Sequence, residues 1–283
     1  MSEVVVSSQE TGMTDQTYTF HFKLTHSVPP NGFFSFLLSE DEQNGVKISD
    51  HDTVQNNCYL VTRTGDKLIE CTSGETEDDG RHFVNITCSE DGFGPYGTLK
   101  GQILSFKIKG LTNPRARFID SYFQLYTMDE QFRYIDKNFE DQQFFVRMSE
   151  LKSINSLAIK PESKVNGYTT TYEITVNPST RIYPYDMLQM DFPPEIGLPV
   201  IMECSSPDLN MVREINCFKS GTSTVHILLV DISDDIFPGT VFKLYVHNLI
   251  NSRSTRPTSA FENIVIRDSL RDREMAGYSK SIQ

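Results

Sequence analysis

The strongest constraint on this chain is a diverged internal repeat, because each copy must fold into a unit that repeats the other's architecture. Thr17-Tyr18-Thr19-Phe20-His21-Phe22 aligns with Thr171-Tyr172-Glu173-Ile174-Thr175-Val176 at an offset of 154. At the same offset Pro30 falls on Pro184, and Phe33, Phe34 and Phe36 fall on Met187, Leu188 and Met190. Cys58 and Cys71 fall on Cys204 and Cys217 at an offset of 146, with a spacing of 13 in both copies. Gly101, Phe106, Ile108, Leu111, Asn113 and Phe123 then fall on Gly239, Leu244, Val246, Leu249, Asn251 and Phe261 at an offset of 138. The offset drops in two equal steps, as differences in loop length would produce. The polar stretch Met148-Ser149-Glu150-Leu151-Lys152-Ser153 reads as the junction, which predicts domains over residues 1–150 and 151–283.

The hydrophobic period within each copy is two. Tyr18-Thr19-Phe20-His21-Phe22-Lys23-Leu24, Ile103-Leu104-Ser105-Phe106-Lys107-Ile108 and Val241-Phe242-Lys243-Leu244-Tyr245-Val246 all alternate apolar with polar residues, the mark of strands with one buried face. Turn chemistry separates them at Pro29-Pro30-Asn31-Gly32, Thr64-Gly65-Asp66, Asp79-Gly80, Asn113-Pro114 and Pro238-Gly239. The best helical candidates, Met128 to Tyr134 and Asp268 to Met275, are short. Many short strands at this spacing predict an all-β chain of two tandem Ig-like antiparallel β-sandwich domains. Its 19 Phe and 12 Tyr supply core bulk, and no Trp is present to pack on a disulfide as in antibody domains.

The net charge of −12 excludes the basic footprint of a nucleic-acid binder and disfavours an anionic membrane surface. The longest aliphatic run, Val225 to Val230, is strand-sized, so no membrane insertion is expected. Met1-Ser2-Glu3 lacks the basic and apolar regions of a secretory signal, which leaves a cytosolic chain or a processed or excerpted piece of an exported one.

The cysteines favour export. With a two-residue turn at Thr64-Gly65, Cys58 and Cys71 would lie directly opposite in a hairpin, within disulfide range. Cys204 and Cys217 can repeat that pairing; the competing reading is buried free thiols. Cys88 has no counterpart in the second copy and is expected to be buried or free. Asn85-Ile86-Thr87 is a glycosylation sequon, and with paired cysteines it points the same way.

Catalytic signals are absent: the chain has no G-x-S-x-G elbow, P-loop, G-x-G-x-x-G or H-E-x-x-H motif. No enzyme activity, no cofactor and no metal are expected. The acidic stretches at residues 75–80 and 231–235 read as solvated loops rather than calcium sites.

The run Leu244-Tyr245-Val246-His247-Asn248-Leu249-Ile250-Asn251, followed by Ser252-Arg253-Ser254-Thr255-Arg256-Pro257-Thr258-Ser259-Ala260-Phe261, resembles a segment recurring in very large secreted or cell-surface proteins of ciliates. The upstream cysteine pair and Gly239 also resemble that pattern. The resemblance implies tandem β-sandwich modules in extracellular architecture, with no enzymatic role.

Two functions are therefore expected. The first is a non-enzymatic structural subunit of an extracellular filament or surface coat that self-associates end to end. Val4, Val5 and Val6 in a first strand would pair with a neighbouring subunit. The second is an adhesin or carbohydrate-binding surface module, with Tyr183-Pro184-Tyr185 or Phe93-Gly94-Pro95-Tyr96 offering rings to a glycan.

Overall fold

The computed structural model describes residues 3–38, 45–76, 80–137, 144–207, 211–233, 235–280 and 282. The chain forms two compact units, Met1–Glu150 and Leu151–Gln283. The first carries β1 (Glu3–Val6), β2 (Gln16–Lys23), β3 (Phe33–Leu37), β4 (Lys47–Ile48), α1 (His51–Gln55), β5 (Cys58–Thr62), β6 (Gly65–Leu68), β7 (Cys71–Glu75), β8 (His82–Thr87), α2 (Glu90–Phe93), β9 (Ile103–Thr112), β10 (Asp120–Met128), β11 (Tyr134–Lys137) and β12 (Phe144–Arg147). The second carries β13 (Lys152–Ser153), β14 (Ser156–Pro161), β15 (Thr169–Asn177), β16 (Asp186–Asp191), β17 (Cys204–Ser205), β18 (Val212–Ser220), β19 (Thr224–Ile232), β20 (Phe242–Ile250), β21 (Glu262–Asp268) and β22 (Arg273–Gly277).

Each unit is an Ig-like sandwich of two sheets. In the first, the strand order is β1-β2-β9-β5-β6 in one sheet and β11-β10-β3-β8-β7 in the other. In the second, the sheets run β14-β15-β20-β17 and β13-β22-β21-β16-β19-β18. All pairings between these strands are antiparallel except the short β13–β22 pair. The alternation read from the sequence is the burial pattern observed. In β2, Tyr18, Phe20 and Phe22 face inward while Thr17, Thr19 and His21 do not. In β20, Phe242, Leu244 and Val246 face inward.

The two units share a buried polar lock. Tyr18 Oη donates to Asn113 Oδ1 at 2.7 Å, and Tyr172 Oη donates to Asn251 Oδ1 at 2.8 Å. The Asn113 amide donates to the carbonyls of Ser8 and Glu10, and the Asn251 amide to those of Ser163 and Val165. Each asparagine thus ties a strand end to a loop of its own unit, between β1 and β2 in the first and between β14 and β15 in the second, and leaves no amide proton of its own unpaired. In the second unit, the asparagine and aromatic of the ciliate-like run have structural work: Asn251 is the lock, and buried Phe261 packs on Phe192 with ring centroids 5.0 Å apart.

Three expectations need correction. Cys58 and Cys71 are joined, as are Cys204 and Cys217, but not across a hairpin. The β5–β6 turn is Arg63-Thr64, with Thr62 opposite Gly65 and Tyr59 opposite Leu68. The chain then crosses at Ile69-Glu70 into β7, which pairs with β8 in the other sheet. Each bridge therefore staples one sheet to the other, since Cys204 pairs with β20 while Cys217 lies in β18 of the opposite sheet. The two helical candidates are hairpins instead. Asp129 Oδ1 accepts from the amides of Gln131 and Arg133 to turn β10 into β11. Asp268 Oδ1 accepts from the amides of Leu270 and Arg271 to turn β21 into β22. An aspartate that caps the next amides competes with helix and favours a turn.

Candidate functional site

The edge expected to meet another subunit is β1. It lies at the end of its sheet, and its inner edge pairs with β2 through Glu3–His21, Val4–Phe20, Val5–Thr19 and Val6–Tyr18. Val4 and Val6 pack against the core, while Val5 faces outward and is 46% exposed. The strand thus completes its own sheet, and its outer backbone edge is the one free of the sheet order.

The outer face of the sheet β11-β10-β3-β8-β7 carries a groove. The groove, of about 290 Å³, is lined by Ser35 and Leu37 of β3, Phe83 and Asn85 of β8, Tyr126 and Met128 of β10 and Tyr134 of β11, together with Thr76 and Arg81. Tyr126 and Tyr134 stand 5.2 Å apart between ring centroids, and the Lys137 ammonium lies over the Tyr126 ring. Asn85 sits in mid-strand, opposite Ser35 on one side and Thr72 on the other. Its Oδ1 is buried with no hydrogen-bond partner. The sequon asparagine therefore lies on the floor of a groove and not on a loop. Hydroxyl, amide and ring faces in one concavity suit a polyhydroxylated ligand: rings cover its C–H faces while the amide and hydroxyls pair with its hydroxyls.

The aromatic loops proposed from the sequence divide differently. Phe93 closes the core, with its ring 5.7 Å from that of Phe34 and 6.0 Å from that of Phe106. Tyr96 is 84% exposed. Tyr183 lies under the Arg181 guanidinium, which also covers the Phe237 ring. Both acidic stretches fall partly outside the described residues. Cys88 is a buried free thiol, and burial pushes its pKa up to about 11, which keeps it protonated and unreactive.

One grouping was not visible in the sequence. His51 from α1, Glu75 from β7 and His82 from β8 each place a donor atom within 4.8 Å of the others. Glu75 and His82 are direct partners across β7 and β8, and Asp50 caps the helix that presents His51. Burial holds the His82 imidazole below its ordinary pKa against the opposing pull of Glu75; the charges of His51 and Lys47 act with burial.

Among the described residues no helix is long and apolar enough to cross a membrane. The chain is a tandem pair of disulfide-stapled Ig-like β-sandwiches, and that class is defined by its own sheets. No family model and no curated protein matches it. Solved structures similar to it include the C-terminal domain of the Streptococcus agalactiae antigen I/II polypeptide BspA, 10% identical over 94% of this chain and 97% of that one, with a TM-score of 0.31. The C-terminal domain of the Streptococcus pyogenes antigen I/II-family protein AspA is 11% identical over 92% of this chain and 90% of that one, with a TM-score of 0.31. A type II cohesin dyad from the ScaA scaffoldin of Acetivibrio cellulolyticus is 10% identical over 98% of this chain and 95% of that one, with a TM-score of 0.27. Superposition this loose carries no argument about site or role. Nothing in these comparisons supports the ciliate resemblance drawn from residues 244–261.

Proposed function

We propose that this chain is a non-enzymatic recognition module of a secreted or cell-surface protein, and that it binds glycan in the groove of its first sandwich. The observation that carries the reading is the buried, unpartnered Asn85 Oδ1 on the floor of a groove walled by Phe83, Tyr126 and Tyr134. A buried acceptor without a donor costs about 1–3 kcal/mol, which rotation of the Asn85 amide to present that oxygen to a ligand hydroxyl would recover. Export is supported by two inter-sheet disulfides in one chain, since such bridges persist in oxidising compartments. Glycan-array binding of non-glycosylated protein tests the reading. Retention that disappears in Tyr126→Ala and Asn85→Ala variants with unchanged circular dichroism supports it; no retention on any glycan class rejects it. Asn85 is also the sequon residue. If protein from its natural source carries glycan there, by intact mass, its own sugar fills the groove and the recognition reading fails.

The second reading is the structural one, a filament or coat subunit that pairs β1 of one copy with a neighbour. It is favoured by the free outer edge of β1 and the outward Val5. Deleting residues 1–8 should then abolish polymers and leave folded monomers, and filaments that persist after the deletion would reject it.

A further inference from the structure

We propose that His51, Glu75 and His82 form a binding site for a divalent transition-metal ion of the zinc class. The three donors come from three elements and converge, each with a ligand atom within 4.8 Å of the others. His82 Nδ1 and Glu75 Oε1 are 3.6 Å apart, close to the separation of about 3.3 Å that two donors on one tetrahedral zinc would have. Glu75 is 59% exposed at its side chain and is free to close the remaining distance without disturbing the core.

The chemistry around the donors is already arranged for ligation. His82 Nδ1 is buried and makes no hydrogen bond. His51 Nδ1 lies 2.9 Å from Ser73 Oγ, and that hydroxyl donates its proton to the His51 carbonyl at 3.4 Å. In the tautomer with its proton on Nδ1, the serine oxygen accepts from Nδ1–H and the lone pair on Nε2 is left for an ion. An outer hydrogen bond of this kind orients most metal-bound histidines. Two imidazoles and one carboxylate with a fourth position open to water form a donor set that suits zinc, cobalt, nickel or copper better than calcium. Lys47 is the opposing charge near His82, and the Glu75 carboxylate offsets it.

The site has a structural consequence. Along β7, Cys71, Ser73 and Glu75 lie at alternate positions on one face, bearing in turn the disulfide, the His51 contact and the proposed ligand. An ion there would tie α1, just before Cys58, to the β7–β8 sheet and so form a second clasp beside the disulfide. Among the described residues the second unit has no counterpart. The amide of Leu38 donates to the His82 carbonyl, and the amide of Phe192 donates to the Ser223 carbonyl, so serine stands where His82 does. Among the described residues, no helix lies between β16 and β17.

The test is a titration of tag-free, chelator-treated full-length chain with Zn²⁺, and with Co²⁺ as a spectroscopic probe. Expected are one ion per chain at micromolar or tighter affinity and Co²⁺ ligand-field bands of a four- or five-coordinate site. His51→Ala and His82→Ala should weaken binding more than about 100-fold, and Ser73→Ala about 10-fold. Glu75→Gln, at an exposed side chain that leaves folding intact, should weaken it at least about 10-fold. His226→Ala in the second unit should leave it unchanged. Absence of binding at millimolar Zn²⁺ overturns the proposal, and so does binding whose affinity Glu75→Gln and His82→Ala leave unchanged.

Discussion

The two sandwiches are built on the same plan and filled with different material. In the first unit Phe20, Phe22, Phe34, Phe36 and Phe106 fill the core, and the Phe20–Phe36 and Phe34–Phe106 rings lie 4.6 and 5.1 Å apart. The equivalent buried positions of the second unit hold Ile174, Val176, Leu188, Met190 and Leu244. Part of the lost ring volume returns at one place. Leu38 follows β3, whereas Phe192 follows β16 and packs on Tyr172 and Phe261. The Tyr–Asn lock, by contrast, is the same in both units. Apolar residues can be traded singly when total volume is kept. A buried hydrogen-bonded pair cannot, because losing one partner strands the other without water. The polar pair is thus the fixed point of the fold and the apolar filling its variable.

The disulfides test this most strongly. Each closes a loop of the same length, worth about 3 kcal/mol in the chain-entropy model. Cys58 and Cys71 are fully buried, while Cys204 and Cys217 are half-buried. Cys58→Ala with Cys71→Ala should therefore cost more than Cys204→Ala with Cys217→Ala. Chemical denaturation should rank the two, and hydrogen exchange should confine each loss to its own unit. Equal or reversed losses would mean that loop closure alone sets the cost.

Next in size is the lock. Tyr18→Phe leaves Asn113 Oδ1 without its donor inside the first core and should cost about 1–3 kcal/mol. Tyr172→Phe should cost less, because Tyr172 is slightly more accessible and water can reach its partner more readily. Burial raises the pKa of both phenols, so neither loses its proton at ordinary pH. A cost near zero in both variants would remove the lock from its place as the fixed point.

Much of this was readable in the chain. The period-two pattern located the strands, the matched Tyr18/Tyr172 and Asn113/Asn251 marked both halves of the lock, and the spacing of 13 marked the cysteine pairs. The inter-sheet path of the bridge was not readable. It depends on the chain leaving the β5–β6 hairpin after Leu68 and crossing at Ile69-Glu70 into β7 of the other sheet, and no turn residue marks that crossing. The hairpins after Met128 and Asp268 mimicked short helices because a tight aspartate turn places apolar residues at near-helical spacing. The metal-type cluster was hidden for another reason. Its outermost residues lie 31 positions apart in sequence and meet only because a five-residue helix, too short to show a period, carries His51 over β7.

A smaller difference lies at the turn before β3 and β16. Asn31 has φ of 60° and Tyr185 has φ of 68° at equivalent places. Asparagine tolerates the left-handed region and tyrosine does not. Tyr185→Gly should raise stability by about 0.5–1 kcal/mol, whereas Asn31→Gly should be neutral within about 0.5 kcal/mol. Thermal melts of the two variants decide it, and a destabilised Tyr185→Gly would mean that the ring contributes more than its backbone costs.

The smallest effect concerns the place where the first unit has Asn85 and the second His226. Asn85 lies opposite Ser35, and His226 lies opposite Gln189 at the matching position. His226 stacks on Phe218 with centroids 4.8 Å apart, and its Nδ1 is buried without a partner. Burial lowers its pKa, and Arg267 lowers it further, against weaker opposing pulls from Asp191 and Asp272. A histidine whose folded pKa lies below the unfolded value of about 6.5 binds its proton more readily when unfolded. Its contribution is therefore undiminished above pH about 6.5 and is lost as pH falls toward the folded pKa. The wild-type chain should lose stability between about pH 7 and pH 5, and His226→Asn, which installs the first unit's choice, should flatten part of that slope. Denaturant midpoints at pH 5, 6 and 7 measure it. An unchanged slope in His226→Asn would show that the imidazole reaches water in the folded state, and that Asn85 and His226 are alternatives in shape alone.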